Sequence, residues 1–310
     1  MVFEKNGKIQ LKARKLKVRK DTVSRAVVTF AVLFLLVFAF ICLVPFVMMV
    51  SASFSDENII MTKGIGILPK GLSLEAYKIA LKNPRYIIGS YMVTILLTFF
   101  GTGIGLFLIA MTGYALCRPD FFIRNKIAFF FYFTTLFSAG LAPSYIWMVR
   151  YLNLRNNYLA VLLPLLMSPW LIILMRNFMK SIPYEITESG KMDGAGDFRI
   201  FISLIFPMMK PALATIGLFL ALGYWNEWYN SMLYLPNLDY KPLQYYLYKI
   251  VNEAAALRQS LAGSVVIVGA LPSTTLKMAT AVLATGPIIL LYPFVQRYFI
   301  SGIVVGSVKG

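Results

Sequence analysis

No histidine occurs anywhere in the 310 residues. That removes the commonest general base and the usual partner in a nucleophilic triad. The two cysteines, Cys42 and Cys117, lie in or at the ends of apolar runs, so no disulfide framework is expected. With no histidine, no zinc set is expected either. No G-x-x-x-x-G-K-[ST] run occurs, so the chain cannot cradle ATP in that way. Acids are scarce, 13 against 30 lysines and arginines. These absences point away from catalysis, and no catalytic or metal-ligating residue is expected.

What the chain has is apolar surface. Hydrophobic residues make up 59%, charged residues 14%, and mean hydropathy is +0.72. Soluble domains run about 45–50% apolar and about 25% charged. The composition therefore predicts an all-α, polytopic membrane protein. The net charge of +17 suggests nucleic acid, but its placement does not. Most basic residues flank apolar spans, and no basic stripe is interleaved with base-stacking aromatics. No nucleic-acid partner is expected.

In chain order, residues 1–25 form a basic tail, expected in the cytoplasm and able to touch anionic lipid. Residues 26–50 carry no charge and are too long for a cleaved signal segment, so they predict a permanent first span. Residues 51–89 are polar and expected outside, with a short interfacial helix over 74–81. Further spans are expected at about 90–116, 127–148, 158–178, 207–225 and 274–295, giving six. A long outside loop is expected over 226–270. Counting Lys and Arg places 19 inside and 10 outside for N-in, C-in topology, with Lys277 inside the sixth span. Gly101 and Gly105 in span two read as points of close helix packing, not a nucleotide loop. Ser138-Ala139-Gly140, Pro143, Pro164, Pro169 and Gly286-Pro287 would loosen or kink helices. Lys277 reads as a snorkelling lysine rather than a functional intramembrane charge.

One polar island interrupts the apolar runs, from Pro183 to Pro211. It holds Glu185, Glu188, Asp193 and Asp197. So many charges must meet water or a partner, because burying them unpaired in lipid is costly. Pro183 and Glu185 suit a first helical turn. Gly194-Ala195-Gly196 breaks the helix. Asp197 is placed to cap a second helix. Phe198, Phe201, Ile202 and Ile205 would form its apolar face. Pro207 is expected to end or kink it.

This island resembles the EAA loop of membrane subunits of ATP-binding-cassette importers. Glu188, Gly194 and Pro207 stand at that pattern's Glu, Gly and final Pro, at matching spacing. Ser189 and Gly190 replace its two alanines, and Leu204 and Phe206 replace its Ile and Leu. The resemblance implies a coupling helix near 183–196 that docks on an ATPase. Its working residues would be Glu188, Ser189, Gly190, Asp193, Gly194, Ala195, Phe198 and Pro207. Gly113-Tyr114-Ala115-Leu116 and the ending Tyr292-Pro293-Phe294-Val295-Gln296-Arg297-Tyr298-Phe299 also look like maltose-type carbohydrate permeases, with Cys117 departing from the usual small residue. The match covers roughly 26–310. Within that class, Gly190 and the Tyr-Pro-Phe ending look most like permeases for uronate-containing or pectic oligosaccharides.

The resemblance implies the type I importer permease fold, with a transmembrane domain over 90–297, a coupling loop over 181–206 and a tail over 298–310. It implies a multi-pass protein of the bacterial cytoplasmic membrane. Its partners would be a second related permease, two ATPase subunits carrying ATP and magnesium, an extracellular solute-binding protein, and membrane lipid. This chain itself would need no cofactor. Tyr224, Trp225, Asn226 and Glu227, followed by Trp228, have two readings: an aromatic belt or gate, or a sugar-contacting path. The competing function is an ion- or proton-coupled secondary transporter. That class needs polar coupling sites at mid-membrane, and no acid lies within an expected span.

Overall fold

The computed structural model describes residues 22–260 and 274–289. The chain divides into two units, residues 1–48 and 49–310. The first unit holds most of α1 (Thr22–Ser53), a helix of 32 residues that begins within the basic tail expected over 1–25. In lipid only a helix satisfies the backbone of such a run by itself.

The second unit opens with two short helices. Asp56 starts α2 (Glu57–Lys63) by accepting from the amides of Asn58 at 2.9 Å and Ile59 at 3.2 Å. The sequence reading expected only one helix in this segment, and it appears as α3 (Glu75–Ala80).

The centre of the unit is α4 (Pro84–Cys117), 34 residues long, with Pro84 in its first turn. It is packed by α7 (Leu159–Leu166), α8 (Pro169–Met179) and α11 (Lys210–Trp225). Glycines set these contacts. A methyl on Gly101 would meet the Tyr224 ring at 2.4 Å, one on Gly105 the Leu166 carbonyl at 3.0 Å, and one on Gly113 the Met175 side chain at 2.8 Å. The expected packing role of Gly101 and Gly105 is what is observed. Between α7 and α8 the chain breaks at Ser168, which Pro169 holds extended. The main buried cluster joins Ile109 and Leu116 of α4, Ile172 and Met175 of α8, and Ile216 and Leu220 of α11.

Three expectations need correction. The expected span 127–148 is not one straight helix. It is α5 (Arg124–Leu136) and α6 (Leu141–Tyr151), bent by 114°. Gly140 makes the bend, at φ 85°. The expected outside loop 226–270 contains α12 (Tyr229–Tyr234) and α13 (Leu243–Ser260). Glu227, just before α12, accepts from the Asn230 amide at 2.6 Å. The Leu243 amide, at the start of α13, donates to Thr94 Oγ1 at 2.7 Å. Third, Pro207 lies inside the second island helix, and the end or kink expected of it falls just beyond it. That helix, α10 (Asp197–Met208), runs through it and meets α11 at an 86° bend beside Met209.

Among the described residues, three helices are long and apolar enough to cross a membrane, or up to five if each bent pair is one span. A further apolar helix, α14 (Thr274–Ile289), is shorter. The expected count of six rests on its continuing to 295, beyond the described residues. The tail 1–21 and the whole C-terminal run from Tyr292 to Gly310, on which part of the resemblance rests, also lie outside them.

Candidate functional site

The island folds into two helices that meet at a tight turn. The first is α9 (Glu185–Met192), with Glu185 and Glu188 in its first turn, where the positive end favours acids. Its end is closed by the backbone. The Ala195 amide donates to the Gly190 carbonyl and the Gly194 amide to the Lys191 carbonyl, each at 3.0 Å. This crossed pair needs a left-handed residue, and Gly194 supplies it at φ 75°. Asp193 is the cap residue before it.

Glycine also decides how α9 sits on α10. A methyl on Gly190 would lie 3.0 Å from Ile200 Cγ1 and 3.2 Å from Leu204 Cδ1. Gly190 therefore permits closer approach than the alanine of the EAA pattern. Thr187 and Gly190 are buried on this inner face. Glu185, Glu188, Ser189 and Met192 face outward, Met192 at 87% exposure. Among the described residues Glu188 makes no ion pair.

The inner face of α10 differs from expectation. Ile200, Phe201 and Ile205 are buried, whereas Phe198 is 63% exposed and Ile202 is 38% exposed. The cause is a π turn over Phe201–Ile205. It adds a residue to the repeat, so Ile200 and Ile205, five apart, point the same way. Asp197 is not the cap either. Gly196 takes that place, and Asp197 becomes the first helical residue.

Asp197 has another task. Arg118, just past α4, pairs with Asp197 at 2.6 Å and forms a forked pair with Asp120. Lys191 of α9 reaches the same Asp120 carboxylate at 2.6 Å. Four charges thus tie the end of α4 to both island helices. The paired Arg118 guanidinium holds the Asp120 carboxyl well below the usual carboxylate range, with Lys191 adding to it. The hydrogen bond to Asp120 raises Arg118, and the same carboxylate raises Lys191. The sequence marks Asp197 as an acid of the island but does not show that Arg118, Asp120 and Lys191 meet it. Arg176 of α8 adds a bond to the Leu116 carbonyl at 3.2 Å. A cavity of about 470 Å³ opens beneath, lined by Tyr114, Arg118, Lys180, Tyr184 and Glu185 among others.

The other candidate residues lie at the opposite end of α11. Tyr224 and Trp225 are buried and donate to backbone carbonyls of neighbouring helices, Leu162 at 2.8 Å and Ala284 at 3.1 Å. Asn226 is exposed and accepts from the Gln244 amide at 3.3 Å. Glu227 is half-buried and held by Asn230. The structure does not bring these four to the island. Among the described residues no group of acids and cysteines could hold a metal ion.

Comparisons with known proteins give this geometry a family. No protein-family profile matches the chain. It is similar to the polygalacturonan/rhamnogalacturonan transport system permease protein YtcP of Bacillus subtilis (strain 168), 36% identical over 281 residues, which span 89% of this chain and 96% of the relative. It is similar to protein LplC of the same organism, 34% identical over 272 residues, 87% of this chain and 90% of that one. Among solved structures it matches a bacterial ABC transporter involved in the import of the acidic polysaccharide alginate, with TM-score 0.74 and 32% identity, over 90% of this chain and 98% of that chain. Full-length identity of this order, on a helical membrane fold that a solved importer shares, shows that the chain belongs to the permease subunits of ATP-binding-cassette sugar importers.

Proposed function

We propose that this chain lines the path of an importer for acidic oligosaccharides and receives the stroke of a partner ATPase through α9. Two relatives support the substrate class: one is named for polygalacturonan and rhamnogalacturonan, the other for alginate. The working assembly on this reading has a second related permease, two ATPase subunits that hold ATP and magnesium, an extracellular solute-binding protein, and the surrounding lipid. No cofactor belongs to this chain. Both termini lie in the cytoplasm of a bacterial cell membrane. Residues 1–25 are a basic tail, 26–50 a first span, 51–89 external, 90–297 the transmembrane domain, and 298–310 a second tail.

The observation that carries the proposal is the two-sidedness of α9. Its inner face is locked through Gly190 against α10 and through Lys191 to Asp120 beside α4. Its outer face leaves Glu188 and Met192 exposed. A helix fixed on one side and open on the other transmits a push as a rigid body. On this reading Ser189, Asp193, Gly194, Ala195, Phe198 and Pro207 shape or flank the docking surface, and Asn226 and Glu227 border the path. The test is Glu188→Lys in the reconstituted transporter. ATP hydrolysis should persist while uptake per ATP falls at least about tenfold, the effect of losing one charged interface contact. Unaltered uptake per ATP at normal assembly would refute the docking role.

A further inference from the structure

Away from the island, a cleft of about 330 Å³ lies between α13 and α14. Its lining combines chemistries that the coupling role does not use. Trp228 and Tyr248 stand side by side, ring centroids 4.8 Å apart, and are 39% and 42% exposed. Gln244 and Lys277 share the same lining, and no acid is part of it. Lys277 is exposed and makes no ion pair among the described residues.

The neighbourhood assigns the anion to Lys277 and not to the helix end. Glu57 already accepts from the first α14 amides, Thr274 at 3.0 Å and Thr275 at 2.8 Å, and from the Thr275 hydroxyl at 2.8 Å. The positive end of α14 is therefore filled by protein. Lys277, one turn on, lines the cleft and brings the positive charge to it. Gln244 donates one amide hydrogen to Asn226 and keeps its carbonyl oxygen for a donor such as a hydroxyl. Aromatic faces take the apolar side of a sugar ring. The volume sits at the low end of small-ligand pockets, about 300–1,000 Å³, so the cleft suits a single sugar unit at a time.

We propose that this cleft is a subsite for one uronate unit of the passing oligosaccharide. The ring stacks on Trp228 and Tyr248, the carboxylate pairs with Lys277, and a ring hydroxyl donates to Gln244. The subsite rests on the reading that the cargo is an acidic saccharide.

The test uses the complete transporter in vesicles, with its binding protein. Uptake of a trigalacturonate is compared with uptake of its fully methyl-esterified form. The ratio of the two is taken within one preparation, so partial misassembly cancels. Lys277→Met should lower that ratio about tenfold, the loss of one charge-assisted contact, and Lys277→Arg should restore most of it. Lys277→Gln replaces the Met variant if the latter does not assemble. An unchanged ratio, with the wild-type transporter importing the acid, overturns the subsite alone. Equal loss of both substrates also overturns it, because a lysine that only meets lipid headgroups does not distinguish acid from ester. A wild-type transporter that imports neither overturns the acidic-saccharide reading, and the subsite with it.

Discussion

At Gly101 the packing leaves no room for a methyl, because the Tyr224 ring occupies that space. The tyrosine is held there from its far end by the Leu162 carbonyl. Three helices thus meet at one glycine and one ring. Overpacking such a contact costs about 1–3 kcal/mol. Gly101→Leu should therefore lower the thermal midpoint of the purified subunit or complex, and Gly103→Leu should not, since nothing lies within 4 Å of a methyl there. Equal midpoints for the two variants would refute the assignment. The glycines were legible in the sequence because small residues inside an apolar span have few other uses. Tyr224 was not: its position beside Trp225 and Asn226 suggested a path or belt, and nothing local told that its hydroxyl would reach a carbonyl 62 positions away in the sequence. Glu57 was hidden for the same reason. It holds the start of α14 from 217 positions away. Glu57→Ala should leave the Thr275 amide and hydroxyl without this acceptor, at a cost of about 1–3 kcal/mol, read as a loss of thermal stability; a stability equal to wild type would refute that role.

At the scale of elements, the island from Pro183 to Pro211 was half readable. The α9 helix, its glycine turn and its outward acids follow from local chemistry: acids at the positive end, and a left-handed glycine past the other. The register of α10 does not, because a π turn changes spacing without changing composition, and so Ile200 replaces Ile202 on the buried face. The ionic tie between Arg118, Asp120, Lys191 and Asp197 likewise joins residues distant in sequence. Its pH behaviour has a definite sign. Asp120 is depressed in the folded state, so its contribution is complete above the ordinary carboxylate value of about 3.9 and is lost only as the pH falls towards its lowered value. Lys191 is raised, so its contribution is complete below about 10.4 and is lost only as the pH rises through its higher folded value. Between about pH 5 and 9 the Asp120 pairs with Arg118 and Lys191 are constant. Any pH dependence of uptake in that window should survive Asp120→Asn unchanged, although the variant should lower uptake per ATP at every pH. A variant that altered the shape of the pH profile would show that the tie titrates where this geometry forbids it.

At the scale of the whole molecule, the sequence specified the class because lipid imposes a severe filter: long uncharged runs must be helices, and scarce acids must lie where water or a partner meets them. It specified less well how each span is built: Gly140 turns the expected span 127–148 into a bent pair, and the expected span 207–225 meets the island helix before it at an 86° bend beside Met209. The proposed orientation rests on the basic-residue count, which an N-in, C-in topology divides as 19 inside and 10 outside, and on the docking role proposed for α9. One residue tests both. Met192 is 87% exposed at the outer face of α9, four positions from Glu188, and so beside it on the helix. With Cys42 and Cys117 first replaced by serine, Met192→Cys should be closed to a membrane-impermeant maleimide added outside intact cells. In inverted vesicles that carry this permease without its ATPase, the thiol should label fully. Adding the ATPase should then protect it, because a docked helix buries the face that Glu188 shares. Labelling from outside would invert the topology and remove α9 from the reach of any cytoplasmic motor. Labelling from inside that the ATPase leaves untouched would keep the topology and refute the docking surface.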